Sequence, residues 1–164
     1  MQIKRKIAPC LWFDHQGEEA ARFYTTIFPN SRILGITKYG KAGYEIHHQP
    51  AGSVMTVAFE LDGQLFTALN AGPIFKFNEA ISFQVRCDTQ TEIDTYWQKL
   101  TEGGDPKAQQ CGWLKDVYGV SWQVVPTVVE ELLSDDPAKA NRTMEALLKM
   151  KKLDIAALER ARAG

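Results

Sequence analysis

Ionisable side chains stand beside predicted strands at several points of the chain. Asp14 and Asp88 each end an apolar, strand-like run, where a carboxylate can accept backbone N–H bonds at the entry to a helix. Asp14 could also act as a general base, although the sequence shows no partner for it. Glu79 and Lys115 flank the strands expected to bound the second half of the chain. These residues could move protons or bind a polar ligand group.

Aromatic residues provide a second kind of candidate. They lie on or beside predicted strands, where they could form a core or line a pocket. Asn70 ends a predicted strand and precedes Ala71-Gly72-Pro73, and Gln123 lies within another strand. Small-molecule sites combine apolar walls with a few convergent polar groups. The candidate ligand-binding residues are therefore Trp12, Asp14, Asn70, Phe75, Phe77, Glu79, Trp113, Lys115, Trp122 and Gln123.

The histidines and cysteines do not form a metal or disulfide pattern. His47 and His48 are adjacent in a predicted strand over residues 44–48, so they would point to opposite faces and could not both bind one ion. His15 lies in a predicted loop. The three cysteines are widely spaced and lack a CxxC pair, so we expect buried or pocket-lining thiols.

Composition excludes several functional classes. The 164 residues are 45% hydrophobic and 24% charged, as in an ordinary globular domain, and the net charge is −1. The chain lacks the excess of basic residues that is typical of nucleic-acid-binding proteins. No apolar run approaches the roughly 18 residues that span a bilayer. The basic residues 1–6 precede no apolar region of signal-peptide length. We therefore expect a cytoplasmic protein without nucleic-acid or membrane partners.

The same order of elements occurs twice along the chain. A strand ending at Asp14 precedes an amphipathic helix from about Gly17 to Pro29, and a strand ending at Asp88 precedes a helix with the capping-box spacing Thr89-x-x-Glu92. The offset between the two copies is about 74 residues. Further strands are predicted over residues 32–39, 44–48, 53–61, 64–70, 110–115 and 120–125, with a hairpin turn at Asp62-Gly63.

The last part of the chain differs from this repeat. Short helices are expected over residues 128–133, after Asp135-Asp136-Pro137, and after Asp154. This tail could cover a sheet or pack on a partner subunit. The predicted fold is α+β, with a single domain over residues 1–164. It comprises tandem βαβββ modules over about 5–75 and 76–126 and a C-terminal helical extension over 127–164.

Several runs resemble one family in particular. They are Leu11-Trp12-Phe13-Asp14, Ile27-Phe28-Pro29-Asn30-Ser31, Phe75 to Phe83, Cys111 to Asp116 and Ser121 to Pro126. The chain resembles the PhnB-like, or 3-demethylubiquinone-9 3-methyltransferase-like, branch of the vicinal-oxygen-chelate superfamily, which includes glyoxalases, dioxygenases and bleomycin-resistance proteins. The resemblance implies sheets that curve around a cavity, and a homodimer in which two chains complete each cavity.

The resemblance also implies where a divalent metal would bind in this superfamily. The four matching positions fall at or near Ile7, Thr67, Ala80 and Gln123. None carries an ionisable ligand, and Gln123 alone offers a weak oxygen donor. The position of Gln123 in this set implies that its side chain points inward. A methyl donor would need a doubly wound sheet with a glycine-rich first turn, and the scattered glycines do not provide one.

These observations favour a small-molecule-binding protein without a metal or other cofactor, with an amphipathic aromatic or quinone-sized ligand in a mostly apolar dimer cavity. The alternative is an enzyme of the same superfamily that uses acid–base groups such as Glu79, Asp14 or Lys115, or a relocated divalent metal. The sequence leaves open the identity of the ligand and whether a reaction is catalysed.

Overall fold

The computed structural model describes residues 6–134 and 136–164, so residues 1–5 and Asp135 lie outside the described part of the chain. The chain divides after Phe77 into two compact units, which are described in turn. The architecture is mixed α+β, with two sheets and a group of C-terminal helices, as predicted. In the two described ranges, no helix has the length and apolar character needed to cross a membrane.

The first unit contains a four-stranded sheet packed on one long helix. The strands lie in the order β1-β4-β3-β2, with β1 parallel to β4 and the other neighbours antiparallel. Strand β1 is an edge strand and follows Pro9, which has no N–H to donate to a sheet. The elements are β1 (Cys10–Phe13), α1 (Gly17–Ile27), β2 (Arg32–Lys38), α2 (Tyr44–His47), β3 (Val54–Leu61) and β4 (Gln64–Asn70).

The core of the first unit lies between α1 and the sheet. Ala20, Tyr24 and Ile27 form the buried stripe of the helix, at the spacing that predicted it. They pack against Val57 and Phe59 of β3, both fully buried. The predicted hairpin turn is also confirmed, because Asp62 and Gly63 both have positive φ, at 46° and 72°.

The predicted strand over residues 44–48 is wrong, because these residues form the short helix α2. Gly43 adopts a left-handed conformation with φ of 80°, and its carbonyl accepts the N–H groups of Ile46 and His47 at 2.9 and 3.0 Å. His48 ends the turn, also in the left-handed region, with φ of 54°. His47 and His48 are therefore not neighbours in a strand, and strand geometry does not decide whether both could bind one ion. Their contacts decide it instead.

A buried amide joins three separate segments of the first unit. Asn70 Oδ1 accepts the Gly17 N–H at 2.7 Å, and Asn70 Nδ2 donates to the Val54 carbonyl at 3.2 Å. The Tyr39 hydroxyl donates to the Asn70 carbonyl at 2.6 Å. A Cβ on Gly17 would lie 2.6 Å from Asn70 Oδ1, so this contact requires glycine. The interpretation of Asp14 as the cap of α1 is therefore wrong, because Asn70 supplies that acceptor from 53 residues away.

The second unit begins with a three-stranded sheet in the order β5-β7-β6. Strand β5 is parallel to β7, and β6 is antiparallel to it. The predicted strand over residues 110–115 is shorter in the structure, because Cys111 and Gly112 both have positive φ and turn the chain. The elements are β5 (Phe83–Cys87), α3 (Gln90–Thr101), a 3-10 turn (Pro106–Ala108), β6 (Trp113–Lys115), β7 (Ser121–Pro126), α4 (Val129–Ser134), α5 (Pro137–Leu147) and α6 (Ile155–Ala163).

Side-chain caps begin α3, α5 and α6 of the second unit. The capping box of α3 is confirmed, with Thr89 accepting the Glu92 N–H and the Glu92 carboxylate accepting the Thr89 N–H. Asp136 caps α5 and Asp154 caps α6, as the sequence predicts. The interpretation of Asp88 as a cap is wrong, because Thr89 has this role and Asp88 accepts a bond from the Thr127 hydroxyl.

The backbone of the C-terminal segment is held on the second unit by hydrogen bonds from the Gln90 side-chain amide and from two backbone N–H groups. The Gln90 amide donates to the Leu153 carbonyl at 3.1 Å and accepts the Ile155 N–H at 2.9 Å. The Cys111 and Gly112 N–H groups donate to the carbonyls of residues 150 and 151 at 2.9 and 2.7 Å. A Cβ on Gly112 would lie 2.8 Å from the Val124 carbonyl, so the close approach requires glycine. The sequence left open whether the tail covers a sheet or packs on a partner subunit. In the structure, the tail packs on the second unit of its own chain.

The first prediction concerns the amide that joins the segments of the first unit. Asn70→Ala removes the acceptor for Gly17 and the donor for Val54, so we expect a loss of about 2 kcal/mol in the free energy of unfolding, measured by urea denaturation. Gln98→Ala, on the exposed face of α3, is the control. Equal stability of Asn70→Ala and the control would refute the capping role.

Candidate functional site

An open cleft of about 270 Å³ lies in the second unit, between one face of the sheet and the C-terminal helices. Most of the lining side chains are apolar, and the polar ones include two glutamines, one thiol and one pair of opposite charges. The lining residues are Gln84, Arg86, Cys111, Trp113, Gln123, Val125, Pro126, Val129, Glu130, Leu133, Met144, Leu147 and Leu153.

Strand alternation selects the residues that reach this cleft. In β5, Val85 and Cys87 are buried on the face that packs against α3, whereas Gln84 and Arg86 point to the other face. In β7, the buried Val124 alternates with Gln123 and Val125 in the same way. The register places Gln123 between Gln84 and Trp113, so an amide, an amide and an indole form one row across the sheet.

Arg86 and Glu130 face each other at the cleft. Arg86 Nη2 donates to Glu130 Oε1 at 2.9 Å, and the side chains are 54% and 72% exposed. An exposed pair of this kind contributes little to stability, because water screens both charges. The pair joins β5 to α4.

Gln123 has a defined orientation within the cleft. Its Nε2 donates to Ser82 Oγ at 2.8 Å, which fixes the amide plane. In the described part of the chain, its Oε1 accepts no hydrogen bond. A ligand hydroxyl or N–H could therefore use that oxygen.

The other candidate residues of the second unit lie away from the cleft. Trp122 is only 3% exposed, and its indole N–H donates to the buried Asp116 carboxylate at 2.8 Å. The same carboxylate accepts the Tyr118 and Val120 N–H groups, so it organises the turn between β6 and β7. Glu79 and Lys115 form an ion pair of 2.5 Å, and this hydrogen bond lowers the pKa of the exposed Glu79 carboxyl. Of the predicted residues, the structure brings Trp113 and Gln123 together at the cleft.

The candidate aromatic residues of the first unit form two edge-to-face pairs. Trp12 contacts Phe75 with ring centroids 4.9 Å apart, and its indole N–H donates to the Gly72 carbonyl at 2.9 Å. Phe77 contacts the buried Phe13 at 5.2 Å. Phe75 is mostly exposed, and the edge-to-face contact leaves one side of its ring to solvent.

The polar candidates of the first unit have structural or exposed positions. Asn70 is buried and bonds to Gly17 and Val54, as described above. Asp14 is exposed, with the neighbouring His15 ring 3.3 Å from its carboxylate. In these positions neither residue offers a sheltered acid–base group.

Two of the four implied metal positions lie outside strands. Ile7 is 87% exposed and precedes β1, and Ala80 is in a turn before β5. Thr67 and Gln123 lie in β4 and β7. None of the four side chains is a carboxylate, imidazole or thiolate, so this set does not fit a divalent cation.

The histidines do not replace this set. His47 Nδ1 accepts the Gln49 N–H at 2.9 Å and Nε2 donates to the Ala42 carbonyl at 3.1 Å, so both ring nitrogens are in use. Across residues 6–134 and 136–164, no three His, Cys, Asp or Glu side chains form a group that could hold a metal.

The sheets do not fit the methyl-donor site that the family name implies. A doubly wound site needs consecutive parallel strands with a glycine-rich turn between the first strand and its helix. Here each parallel pair, β1 with β4 and β5 with β7, joins an edge strand to a strand that follows only after further elements and that pairs antiparallel on its other side. Gly17 begins α1, but its backbone N–H is already bonded to Asn70.

The thiols differ in their surroundings. Burial raises the pKa of Cys87 to about 12, with further contributions from the Glu92 and Asp88 carboxylates, so its thiolate is strongly disfavoured. Desolvation also raises the pKa of Cys10, which is in the edge strand β1. Cys111 lines the cleft, as one of the expected pocket-lining thiols.

Sequence reasoning missed several residues of the cleft. Gln84 and Arg86 alternate with Val85 and Cys87, and this period of two could have assigned them to one sheet face. The apolar residues of α4 and α5, such as Leu133 and Leu147, gave no such signal, because nothing local shows which surface the tail covers.

Comparison with known proteins supports the fold and the family. The family model described as 3-demethylubiquinone-9 3-methyltransferase matches residues 5–125. A PhnB protein from Bacillus cereus is 36% identical, with a TM-score of 0.63, and the match covers 75% of this chain and 100% of that chain. Residues 126–164, which include the C-terminal helices from α4 onward, lie beyond the family match.

Two more distant structures share the fold. Protein PA1353 from Pseudomonas aeruginosa is 20% identical, with a TM-score of 0.57, over 75% of this chain and 98% of that chain. The fosfomycin resistance protein FosX from Mesorhizobium loti is 15% identical, with a TM-score of 0.53, over 80% of this chain and 98% of that chain. No curated protein matches the sequence. The chain belongs to the 3-demethylubiquinone-9 3-methyltransferase, or PhnB-like, family.

Proposed function

We propose that the protein binds a small amphipathic molecule in the cleft of the second unit, and that it does so without a metal ion. One observation carries this proposal, which is a cleft with mostly apolar walls and a few polar groups at defined positions. Its volume of about 270 Å³ is close to the lower end, roughly 300 Å³, of small-molecule sites. The ligand should therefore be of one or two rings or of similar size.

The acid–base enzyme is the weaker alternative. Arg86 and Glu130, the charged residues of the cleft lining, are paired with each other. Glu79 and Lys115 also pair with each other, outside the cleft. A general acid or base needs contact with its substrate, and these pairings give no carboxyl a sheltered position in the cleft.

The cleft can be tested with naphthol, a neutral two-ring fluorophore. We expect saturable binding of one molecule per chain, followed by fluorescence and calorimetry. Val129→Trp places a large ring at the cleft wall and should weaken binding about tenfold or more, which corresponds to about 1.4 kcal/mol. Val117→Trp, at an exposed turn position outside the cleft lining, is the matched control.

The proposal of a binding cleft fails if naphthol does not bind. It fails equally if Val129→Trp and Val117→Trp bind naphthol alike, because the dye would then occupy another surface. Thermal melts of both variants show whether each remains folded.

The metal-free part of the proposal has its own measurement. Because the positions at Ile7, Thr67, Ala80 and Gln123 lack charged or imidazole donors, we expect no stoichiometric zinc, iron, nickel or manganese in untagged protein. Elemental analysis of freshly purified protein, with and without metal supplements in the growth medium, checks this. One metal ion per chain would overturn it.

We also propose that the protein is a cytoplasmic homodimer. Three free thiols are consistent with a reducing compartment. In the first unit, α2 exposes Tyr44 and Ile46 and the segment after β4 exposes Ile74 and Phe75, each by more than half. Burial of such side chains favours association.

Light scattering coupled to size exclusion tests this association. The expected mass is twice the 18.4 kDa of one chain. Ile46→Lys should shift the equilibrium towards monomer, because a buried unpaired charge is costly. Val117→Lys changes an exposed residue of the second unit and should not shift the equilibrium towards monomer. A wild-type protein that elutes as a monomer at all concentrations would refute the dimer.

A further inference from the structure

The ion pair at the cleft leaves most of the arginine unused. A guanidinium carries five N–H donors, and Arg86 uses one of them, from Nη2 to Glu130 Oε1. In the described part of the chain, the Arg86 side chain makes no other hydrogen bond. Among the described lining residues, Arg86 and Glu130 are the only charged ones. The cleft thus has one cation with spare donors beside an apolar wall.

The bond between Arg86 and Glu130 can be exchanged at little cost. Both side chains are more than half exposed, so water already compensates each charge in part. Glu130 lies on α4, a helix of six residues, and is the more exposed partner. If its carboxylate left the guanidinium, it would remain in solvent rather than becoming a buried charge.

We propose that the cleft binds a small aryl or alkyl carboxylate whose anionic group replaces Glu130 on Arg86. This inference rests on the proposed function and assigns its ligand class. The apolar part of the ligand would lie against Trp113 and Leu147, and the Gln123 oxygen would accept a hydroxyl or N–H group where the ligand has one. No covalent step is involved.

The geometry favours an anion over a cation. Arg86 is on β5, paired through its backbone with β7, so the sheet holds its position. Its planar fork can bind both oxygens of a carboxylate, which is stronger than the single bond to Glu130. A cationic ligand would have to use Glu130 instead, on the short helix and with greater exposure.

Three matched probes test the charge of the ligand. Phenylacetate, its neutral isostere phenylacetamide and the cation phenethylammonium share one ring and differ in the polar group. We expect phenylacetate to bind about tenfold more tightly than the amide, and the cation to bind most weakly, in calorimetry and ligand-observed NMR.

Two substitutions should change phenylacetate affinity in opposite directions. Arg86→Gln removes the cation and should weaken binding about tenfold, to the level of phenylacetamide. Glu130→Gln removes the competing carboxylate and should strengthen binding several-fold. Glu131→Gln makes the same charge change on α4 outside the cleft lining, and Arg160→Gln makes the cationic change on α6, so both should leave affinity unaltered.

The outcomes separate this inference from the proposed function. Equal binding of the acid and the amide, unchanged by Arg86→Gln, refutes the carboxylate assignment while naphthol binding upholds the cleft. Preference for the cation, lost in Glu130→Gln, refutes it in favour of a cationic ligand. If none of the three probes binds, the assignment also fails, and the naphthol result alone decides the proposed function. If Glu131→Gln strengthened phenylacetate binding as much as Glu130→Gln, the net charge of the protein would account for both effects. That outcome would refute the replacement of Glu130 by the ligand on Arg86.

Discussion

The cleft depends on how the C-terminal segment is attached to the second sheet. Gln90, at the start of α3, bonds to the Leu153 carbonyl and to the Ile155 N–H, so one side chain holds the chain on both sides of Asp154. Gly112 allows the backbone of β7 and the Leu153 side chain to approach closely. With the segment in this position, α4 and α5 supply the apolar wall that faces Trp113 and Gln123. The cleft therefore forms only when the C-terminal segment packs on the second sheet.

An amide side chain has a comparable role in each unit. Asn70 joins the start of α1 to β3 and β4, and Gln90 joins α3 to the C-terminal segment. An amide suits both positions because it can donate and accept at once, which satisfies two backbone groups with one neutral residue. Buried carboxylates would repel some of these carbonyls, and apolar residues would leave the backbone groups unpaired. The polar interior of this protein is thus mainly structural.

The family name and the site lead to different chemistry. The sheets do not provide a doubly wound methyl-donor site, and the four positions at which the resemblance implies metal ligands carry Ile7, Thr67, Ala80 and Gln123. Binding selectivity would then come from the volume of the cleft, its apolar walls and the Arg86 charge. The family match ends at residue 125, so the part of the cleft contributed by α4 and α5 is specific to chains with this extension.

The sequence by itself determined what depends on near neighbours along the chain. Helix periodicity, the Thr89 and Glu92 capping box, the Asp62-Gly63 turn and the proline after Asp136 all act within a few residues, and the structure confirms them. The strand-like run at residues 44–48 misled the prediction, because this segment forms a helical turn after the left-handed Gly43. Only the tertiary structure decided that Asn70 caps α1 and that Arg86 and Glu130 meet at a cleft. These contacts join strands and helices by long-range packing, and no local pattern specifies which distant surface a side chain will meet.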